Sequence, residues 1–462
     1  MERMFTGEKT ALQGRCRLGK EYDYSMKLNY KRTFFIGLAF LSISAFWQMY
    51  DNIIPLILQG TFHLGETVTG VIMAADNVLA LFLLPVFGAL SDRVDTRMGK
   101  RMPFIVGGTT LAVIFLMLLS VADRKVNLAF FVITLFALLI SMGLYRSPAV
   151  ALMPDLTPNK LRSKGNAIIN LMGAVGGVYT LIMIKLLTGK GEHPDYFPLF
   201  ASVALLMVVS VGVLFIAIKE KKVKARMEEE LRAQGEEAGD FAGMENAEEA
   251  KEHAGTGPMD PEVKRSMHFL LLSIFLWFTA YNAVTTAFSR YTKVVWNLEG
   301  GGFADCLMVA TVAAIISYVP IGNISSRIGR KRTILGGIIL MSACYFAAIF
   351  ANAYHPVINI AFAAIGVGWA AINVNSYPMI VEMGKGSDIG KFTGTYYTFS
   401  MTAQIVTPIL SGVLLEKISY RTLFPYALIF SAAAFVTMCQ VHHGDTRPDR
   451  KKSVLENFDV DD

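Results

Sequence analysis

Charge is what this 462-residue sequence has least of. Only 17% of its residues are Asp, Glu, Lys or Arg, against about 25% in soluble domains. By contrast 53% are hydrophobic, and the mean hydropathy is +0.45. A chain so poor in charge, with apolar runs of about 20 residues, is suited to a bilayer rather than to water. Cysteine is scarce as well. Cys16, Cys306, Cys344 and Cys439 are scattered without paired spacing, which argues against a disulfide framework or a zinc site. A Gly-rich phosphate loop with its lysine is missing, so ATP is not the expected driving force. The seven histidines show no ligand spacing and no catalytic constellation appears. The expectation is therefore a protein that is not an enzyme and has neither a metal site nor a cofactor. The formal net charge is only +6. Its basic residues sit in short connectors rather than on one face, which argues against a nucleic-acid partner. Nor is a signal peptide indicated, because the first apolar run starts only near Phe34, behind a charged segment, and is too long.

What the sequence does have is twelve apolar spans. They lie near residues 34–58, 68–91, 103–121, 128–153, 167–187 and 197–218, then 267–289, 306–325, 333–351, 357–381, 393–415 and 423–442. Lys and Arg are costly to translocate and set the orientation. With residue 1 placed inside, cytosolic segments hold about 34 of them and the other side about 8, with Arg146 inside a span. The expectation is a multi-pass protein of the cell membrane, embedded in the lipid bilayer, with both termini cytoplasmic. Residues 1–33 read as a cytosolic tail, 34–218 as a first six-span half, 267–442 as a second and 443–462 as a second tail. Between the halves, residues 219–266 are basic, then Glu- and Gly-rich. The start of this stretch is able to continue the sixth span into the cytosol, but the remainder cannot bury enough apolar surface to fold alone. Six spans, linker and six spans is the plan of many secondary transporters.

Two charged turns recur at matching places. GALSDRVDTRMGKR begins at Gly88 and GNISSRIGRKR at Gly322, each closing the second span of its half. Repetition points to duplication and to a gating role for Gly88, Asp92, Arg93, Gly99, Lys100 and Arg101, with Gly322, Arg327, Gly329, Arg330 and Lys331 as counterparts. Gly99 and Gly329 permit the tight turn. Asp92 is placed to accept from the next helix start or to pair with a neighbouring Arg. Asp155, followed by Arg162, ends the fourth span and suits a pairing with a basic residue of the first turn. The alternative is simple positive-inside anchoring.

The first turn resembles the signature loop of the major facilitator superfamily. In its longer form, SDRVDTRMGKRMPFI, it resembles more narrowly the sucrose-type and glycoside–pentoside–hexuronide:cation symporter branch, as does YRSPAVALMPDLTPNKLRSKGNAI at the end of the fourth span. The resemblance implies an all-α polytopic membrane protein with the major facilitator fold, twelve transmembrane helices in two pseudo-symmetric six-helix bundles, working by alternating access. It also implies symport of a sugar with a cation. The chain departs from the branch at its site. Where plant sucrose carriers have an acid and an Arg on the fourth span, Leu139 and Val150 stand here, and Arg146 is displaced by about one turn. The positions of the melibiose-type cation-binding acids are Ala80 and Leu84.

Candidate site residues follow from polarity inside the spans, where a carboxylate costs about 2.5–3.5 kcal/mol on insertion scales and normally faces a cavity or a partner. The first span carries Gln48 and Asp51 on one face, flanked by Trp47 and Tyr50, an arrangement that suits a sugar. The second carries Asp76 and Asn77. Asp51 or Asp76 is the expected site of the coupling ion, H⁺ or Na⁺; the alternative places either acid at the outer membrane surface. Arg146 needs a partner if buried, or else snorkels to the cytosol. Asn170, Trp277, Tyr281, Asn282, Trp369, Asn373, Tyr377 and Gln404 add amides and aromatics at helical spacing. These suit a neutral, hydroxyl-rich small molecule, or else glue helices together. The reading is a cation-coupled sugar or glycoside symporter, acting as a monomer. Its rivals are an exporter of drugs or metabolites by proton antiport, and a sensor that kept the fold but lost transport.

Overall fold

A computed structural model describes residues 28–158, 161–191, 194–233, 260–383 and 389–445. Most of both expected tails and residues 234–259 of the expected linker lie outside the described residues, as does Cys16.

The first half consists of α1 (Tyr30–Gly60), α2 (Glu66–Arg93), α3 (Met102–Arg124), α4 (Leu128–Asp155), α5 (Arg162–Leu187) and α6 (Phe197–Ala217). A polar helix, α7 (Glu220–Ala233), follows. The second half consists of α8 (Pro261–Val295), α9 (Ala304–Ile328), α10 (Arg330–Ile349), α11 (Ile358–Met383), α12 (Ile389–Lys417) and, after a 3₁₀ turn at Tyr420–Thr422, α13 (Leu423–Cys439). Among the described residues, twelve helices, all but α7, are long and apolar enough to cross a bilayer. The chain is thus an all-α, multi-pass membrane protein.

The helices start where local chemistry allows. Asn29 caps α1 by accepting from Arg32 N–H, Asn127 caps α4 through Phe130 N–H, and Asp260 caps α8 through Glu262 N–H with Pro261 in the first turn. The 35 residues of α8 make a rod of roughly 50 Å, longer than the ~30 Å hydrocarbon core. Both its ends therefore extend past the apolar span near 267–289. The helix α7 does not continue α6: Ile218 takes an extended conformation and breaks the ladder.

Within the first half α1 packs on α5 and α3 on α4; within the second, α11 packs on both α9 and α10, and α8 on α13. The halves meet through α2 against α12, α5 against α9 and α1 against α8. The run GAVGGV at 173–178 serves close approach: a Cβ on Gly176 would lie 2.0 Å from the Leu41 carbonyl oxygen. The turns at residues 94–101 and 329 lie at one end of the molecule, called here the basic end.

Candidate functional site

At the basic end Arg101 gathers the first turn. Its side chain is 8% exposed and pairs with Asp92. Its Nε donates to Asp155 at 2.8 Å, and its Nη1 donates to Ser91 Oγ at 2.5 Å and to the Gly88 carbonyl at 3.4 Å. The helix α3 starts without a side-chain cap of its own. Glu220, the first residue of α7, accepts from the backbone N–H groups of Lys100 at 2.7 Å, Arg101 at 3.1 Å and Met102 at 3.0 Å. Gly99 makes room for it at φ +118°, where a Cβ would come within 2.2 Å of the carboxylate.

The second half repeats the device. Gly329 adopts φ +94°, and Asp445 accepts from Lys331 N–H at 2.7 Å at the start of α10. Arg330 pairs with Glu382 of α11, and Lys331 Nζ donates to the Cys439 carbonyl at 2.9 Å. Arg162 donates to the carbonyls of Pro154 and Thr157. Lys221 of α7 pairs with Asp95 at 2.9 Å. Arg93, Lys100 and Arg327 are exposed, while Gly322 accepts from Ser325 within its own helix. These bonds join each turn to its own half.

Between the halves lies a cavity of about 640 Å³. Trp47 and Asp51 of α1, Asp76 and Asn77 of α2 and Arg146 of α4 form one wall; Asn282 of α8 and Gln404 of α12 stand opposite. All seven were candidate residues. Asn77 Nδ2 donates to Asp76 Oδ1 at 2.8 Å, and the Arg146 guanidinium lies 5.8 Å from the centre of the Trp47 ring. The first half thus supplies two acids and a base to the wall, while the second supplies Asn282, Thr285, Thr286, Tyr396, Tyr397, Ser400 and Gln404. Ala80, Leu84 and Val150 also line the cavity. Three of the four positions aligned above with charged residues of the sucrose-type and melibiose-type carriers therefore face the same space, while Leu139 is buried and does not line it. Here Asp76 and Arg146 stand four residues before Ala80 and Val150, about one helical turn away and on the same face.

The other candidates are not among the lining residues. Gln48 faces α5, where a Cβ on Gly177 would meet its amide oxygen at 3.7 Å. Tyr50 is fully buried and stacks on Phe46. Trp277 is buried in the core; Tyr281 and Trp369 stack on each other at 3.8 Å; Tyr377 bonds to Thr393 at 3.0 Å. Asn373 is 3% exposed and Asn170 is half-buried on α5. The lining residues Met73, Ser147, Phe278, Thr286, Tyr396 and Met401 lay outside the candidate set. Nothing in their spacing separates them from ordinary packing residues. Among the described residues, no group of three or more His, Cys, Asp and Glu side chains is placed to hold a metal ion.

The end opposite the basic turns is closed by contacts between the halves that the sequence reading did not single out. Glu66, at the start of α2, is 3% exposed and pairs with Arg290 of α8, 5% exposed, at 3.0 Å. Tyr420 donates its hydroxyl to Glu66 at 2.5 Å. Thr67 N–H of α2 donates to Glu416 of α12 at 2.8 Å, and Ser289 donates to the Asn52 carbonyl at 3.2 Å. Lys185 of α5 pairs with Asp305 of α9 at 2.7 Å.

Comparison with known proteins places this architecture. The model of the family described as Major Facilitator Superfamily matches residues 36–316 and 296–457. Among curated proteins, a 101-residue stretch is 25% identical to the chloramphenicol resistance protein CraA of Acinetobacter baumannii, covering 22% of this chain and 24% of that one. A 175-residue stretch is 22% identical to the general alpha-glucoside permease of Schizosaccharomyces pombe, covering 32% and 30%. The chain thus matches less than a third of the length of either relative. Among solved structures, the inward open conformation of the xylose transporter XylE from E. coli superposes with a TM-score of 0.61 at 15% identity, covering 92% of this chain and 97% of that one. A bacterial homologue of the iron transporter ferroportin gives 0.65 at 14%, covering 90% and 99%. A bacterial homologue of the human drug peptide transporters PepT1 and PepT2 gives 0.65 at 12%, covering 89% and 97%. At these identities the likeness is one of fold.

Proposed function

The chain belongs to the major facilitator superfamily, and from that premise we propose that it carries a sugar-like, hydroxyl-rich small molecule across the membrane together with H⁺ or Na⁺. The observation that supports this most is the division of labour around the cavity. One wall brings Asp51, Asp76 and Arg146; the other brings amides, hydroxyls and phenols without a formal charge. Hydroxyl and amide groups bind a neutral polyol by exchanging hydrogen bonds. Carboxylates inside the bilayer are costly and suit a small cation that binds and leaves. The lining aromatics Trp47, Phe278, Tyr396 and Tyr397 offer faces for the C–H side of a sugar ring. The partial match to an alpha-glucoside permease and the motif-level resemblance to the sucrose-type and glycoside–pentoside–hexuronide branch agree with this reading. In it the protein acts as a monomer in the cell membrane with its basic end in the cytoplasm, a placement that the Lys and Arg distribution supports. Alternating exposure of the cavity by the two halves carries the substrate across.

The Asp pair is the test. In proteoliposomes, Asp51→Asn or Asp76→Asn at the coupling acid abolishes uphill uptake while leaving substrate exchange; concentrative uptake by both variants rules the assignment out. The substrate is found by a thermal-shift screen of sugars with and without Na⁺ at two pH values, because a bound ligand stabilises by mass action, more so with its coupling ion present. A second reading, export of an apolar compound by proton antiport, draws on the partial match to a chloramphenicol resistance protein and on the apolar lining of Met73, Leu84, Val150 and Met401. Chloramphenicol in the same screen separates the two.

A further inference from the structure

Charge at the two ends of this molecule is used differently. At the basic end the described ion pairs of the turns stay within one half: Arg101 with Asp92 and Asp155, and Arg330 with Glu382. At the opposite end a buried pair crosses between the halves. Arg290 Nε reaches both Glu66 oxygens, at 3.2 and 3.0 Å, and Arg290 Nη1 donates to the Thr286 carbonyl at 3.1 Å. Tyr420 adds its hydroxyl to the same carboxylate. The α2 N-terminus begins at Gly65 without a side-chain cap, and its Thr67 N–H is taken up by Glu416 of the other half. Backbones meet here as well: a Cβ on Gly70 would lie 2.2 Å from the Pro408 carbonyl oxygen, and one on Gly412 would lie 2.6 Å from that of Glu66.

We propose that Glu66, Arg290 and Tyr420 form a charged latch that holds the substrate-free protein closed at the end away from the basic turns. The latch stands directly over the cavity. Thr286, which accepts from Arg290, is also a lining residue, and Pro408 lines the cavity while touching Gly70. Parting α2 from α8 and α12 must break the ion pair and the borrowed cap together. Two charges this deeply buried are stable while paired, and removing one partner leaves the other uncompensated in a poorly polar setting. A lone Arg290 then finds relief by admitting water, which means opening this end; a lone Glu66 can also take up a proton, and in either case the charged tie between the halves is lost.

The latch rests on the transporter reading but on no particular substrate, so its test omits ligand. Spin labels are attached at Lys125→Cys and His355→Cys, exposed positions at the opposite end, one per half, with the four native cysteines replaced. Distances are measured in proteoliposomes by double electron–electron resonance. The parent, with the latch intact, is expected to show mainly the short distance. Glu66→Gln and Arg290→Gln each raise the long-distance fraction at least about tenfold, and Tyr420→Phe, which removes one hydroxyl, raises it by about fivefold. Lys185→Gln, which breaks a half-exposed cross-half pair, leaves the distribution unchanged. Unaltered distances in the Glu66 and Arg290 variants overturn the latch, and so does an equal opening by Lys185→Gln. If the Gln variants do not fold, Tyr420→Phe decides alone: a longer population supports the latch and an unchanged one overturns it. A sugar screen that finds no ligand leaves all of these outcomes intact.

Discussion

Arg101 is 8% exposed, yet it reaches two carboxylates, a hydroxyl and a carbonyl. A guanidinium can do this because its donors fan out in a plane; a lysine ammonium offers one compact point. Arg101→Gln is expected to cost about 2 kcal/mol through the lost charge-assisted bonds, read as a lower Tm in detergent, and Arg101→Lys does not restore it. The expectation that Asp155 meets a basic residue of the first turn came from chain position alone, and Arg101 is the residue it meets. At the opposite end Asp195 gives a weaker case. The Arg124 guanidinium holds its carboxyl below the usual aspartate range, through bonds of 2.6 and 3.1 Å in which both side chains are about half exposed. Because the folded carboxyl titrates lower than the unfolded one, its contribution is present at neutral pH and lost as pH falls through its depressed range. Solvent screening keeps it at no more than about 1 kcal/mol. The Tm difference between the parent and Asp195→Asn should therefore be small at pH 7 and close as the solution is acidified through the lowered range of this carboxyl.

Helix starts show how far local sequence reaches. Asn29, Asn127 and Asp260 cap their own helices and are legible as caps. Three others import a carboxylate from afar: Glu220 for α3, Asp445 for α10 and Glu416 for α2. The N-cap residue is glycine in α2 and α10 and Arg101 in α3, and none of the three supplies a side-chain cap. Glu220→Ala should cost about 1–2 kcal/mol, as removal of a cap does, and Asp445→Ala should do the same in the second half; chemical denaturation of each variant checks this. Gly99→Ala should cost at least as much, since it adds strain at φ +118° to a collision with Glu220. Span positions were legible within a few residues because hydropathy is a sum over about twenty positions. The exception was α8, whose charged ends carry no hydropathy signal, and α7 needed the break at Ile218 to stand apart from α6.

At the scale of the whole molecule, the cavity sits on the basic-end side of the closed contacts. Its lining runs along α2 from Met73 to Leu84, along α4 to Val150, and along α12 from Tyr396 to Pro408, while Glu66, Arg290 and Tyr420 bar the other end. A cysteine at Ser147 or Tyr397 should therefore react with a membrane-impermeant thiol reagent supplied on the side of the basic turns and hardly at all from the other side. Equal labelling from both sides would contradict this arrangement. Seven of the fifteen candidate binding and coupling residues reached this cavity: Trp47, Asp51, Asp76, Asn77, Arg146, Asn282 and Gln404. Tyr281 and Trp369 went to each other instead, and Gln48 to α5. Helical period places a side chain on a face, but which neighbour that face meets depends on how the helices pack.

Twelve crossings, two repeated basic turns and acids within the membrane spans were determined by composition and spacing, because the bilayer taxes every charge individually and locally. Which of those acids share a space was decided by how α1 and α2 pack within the first half, and which end of the molecule is shut only when α2 met α8 and α12. Glu66 and Arg290 are 224 residues apart, and a pairing over that distance exists only through the contact of two folded halves.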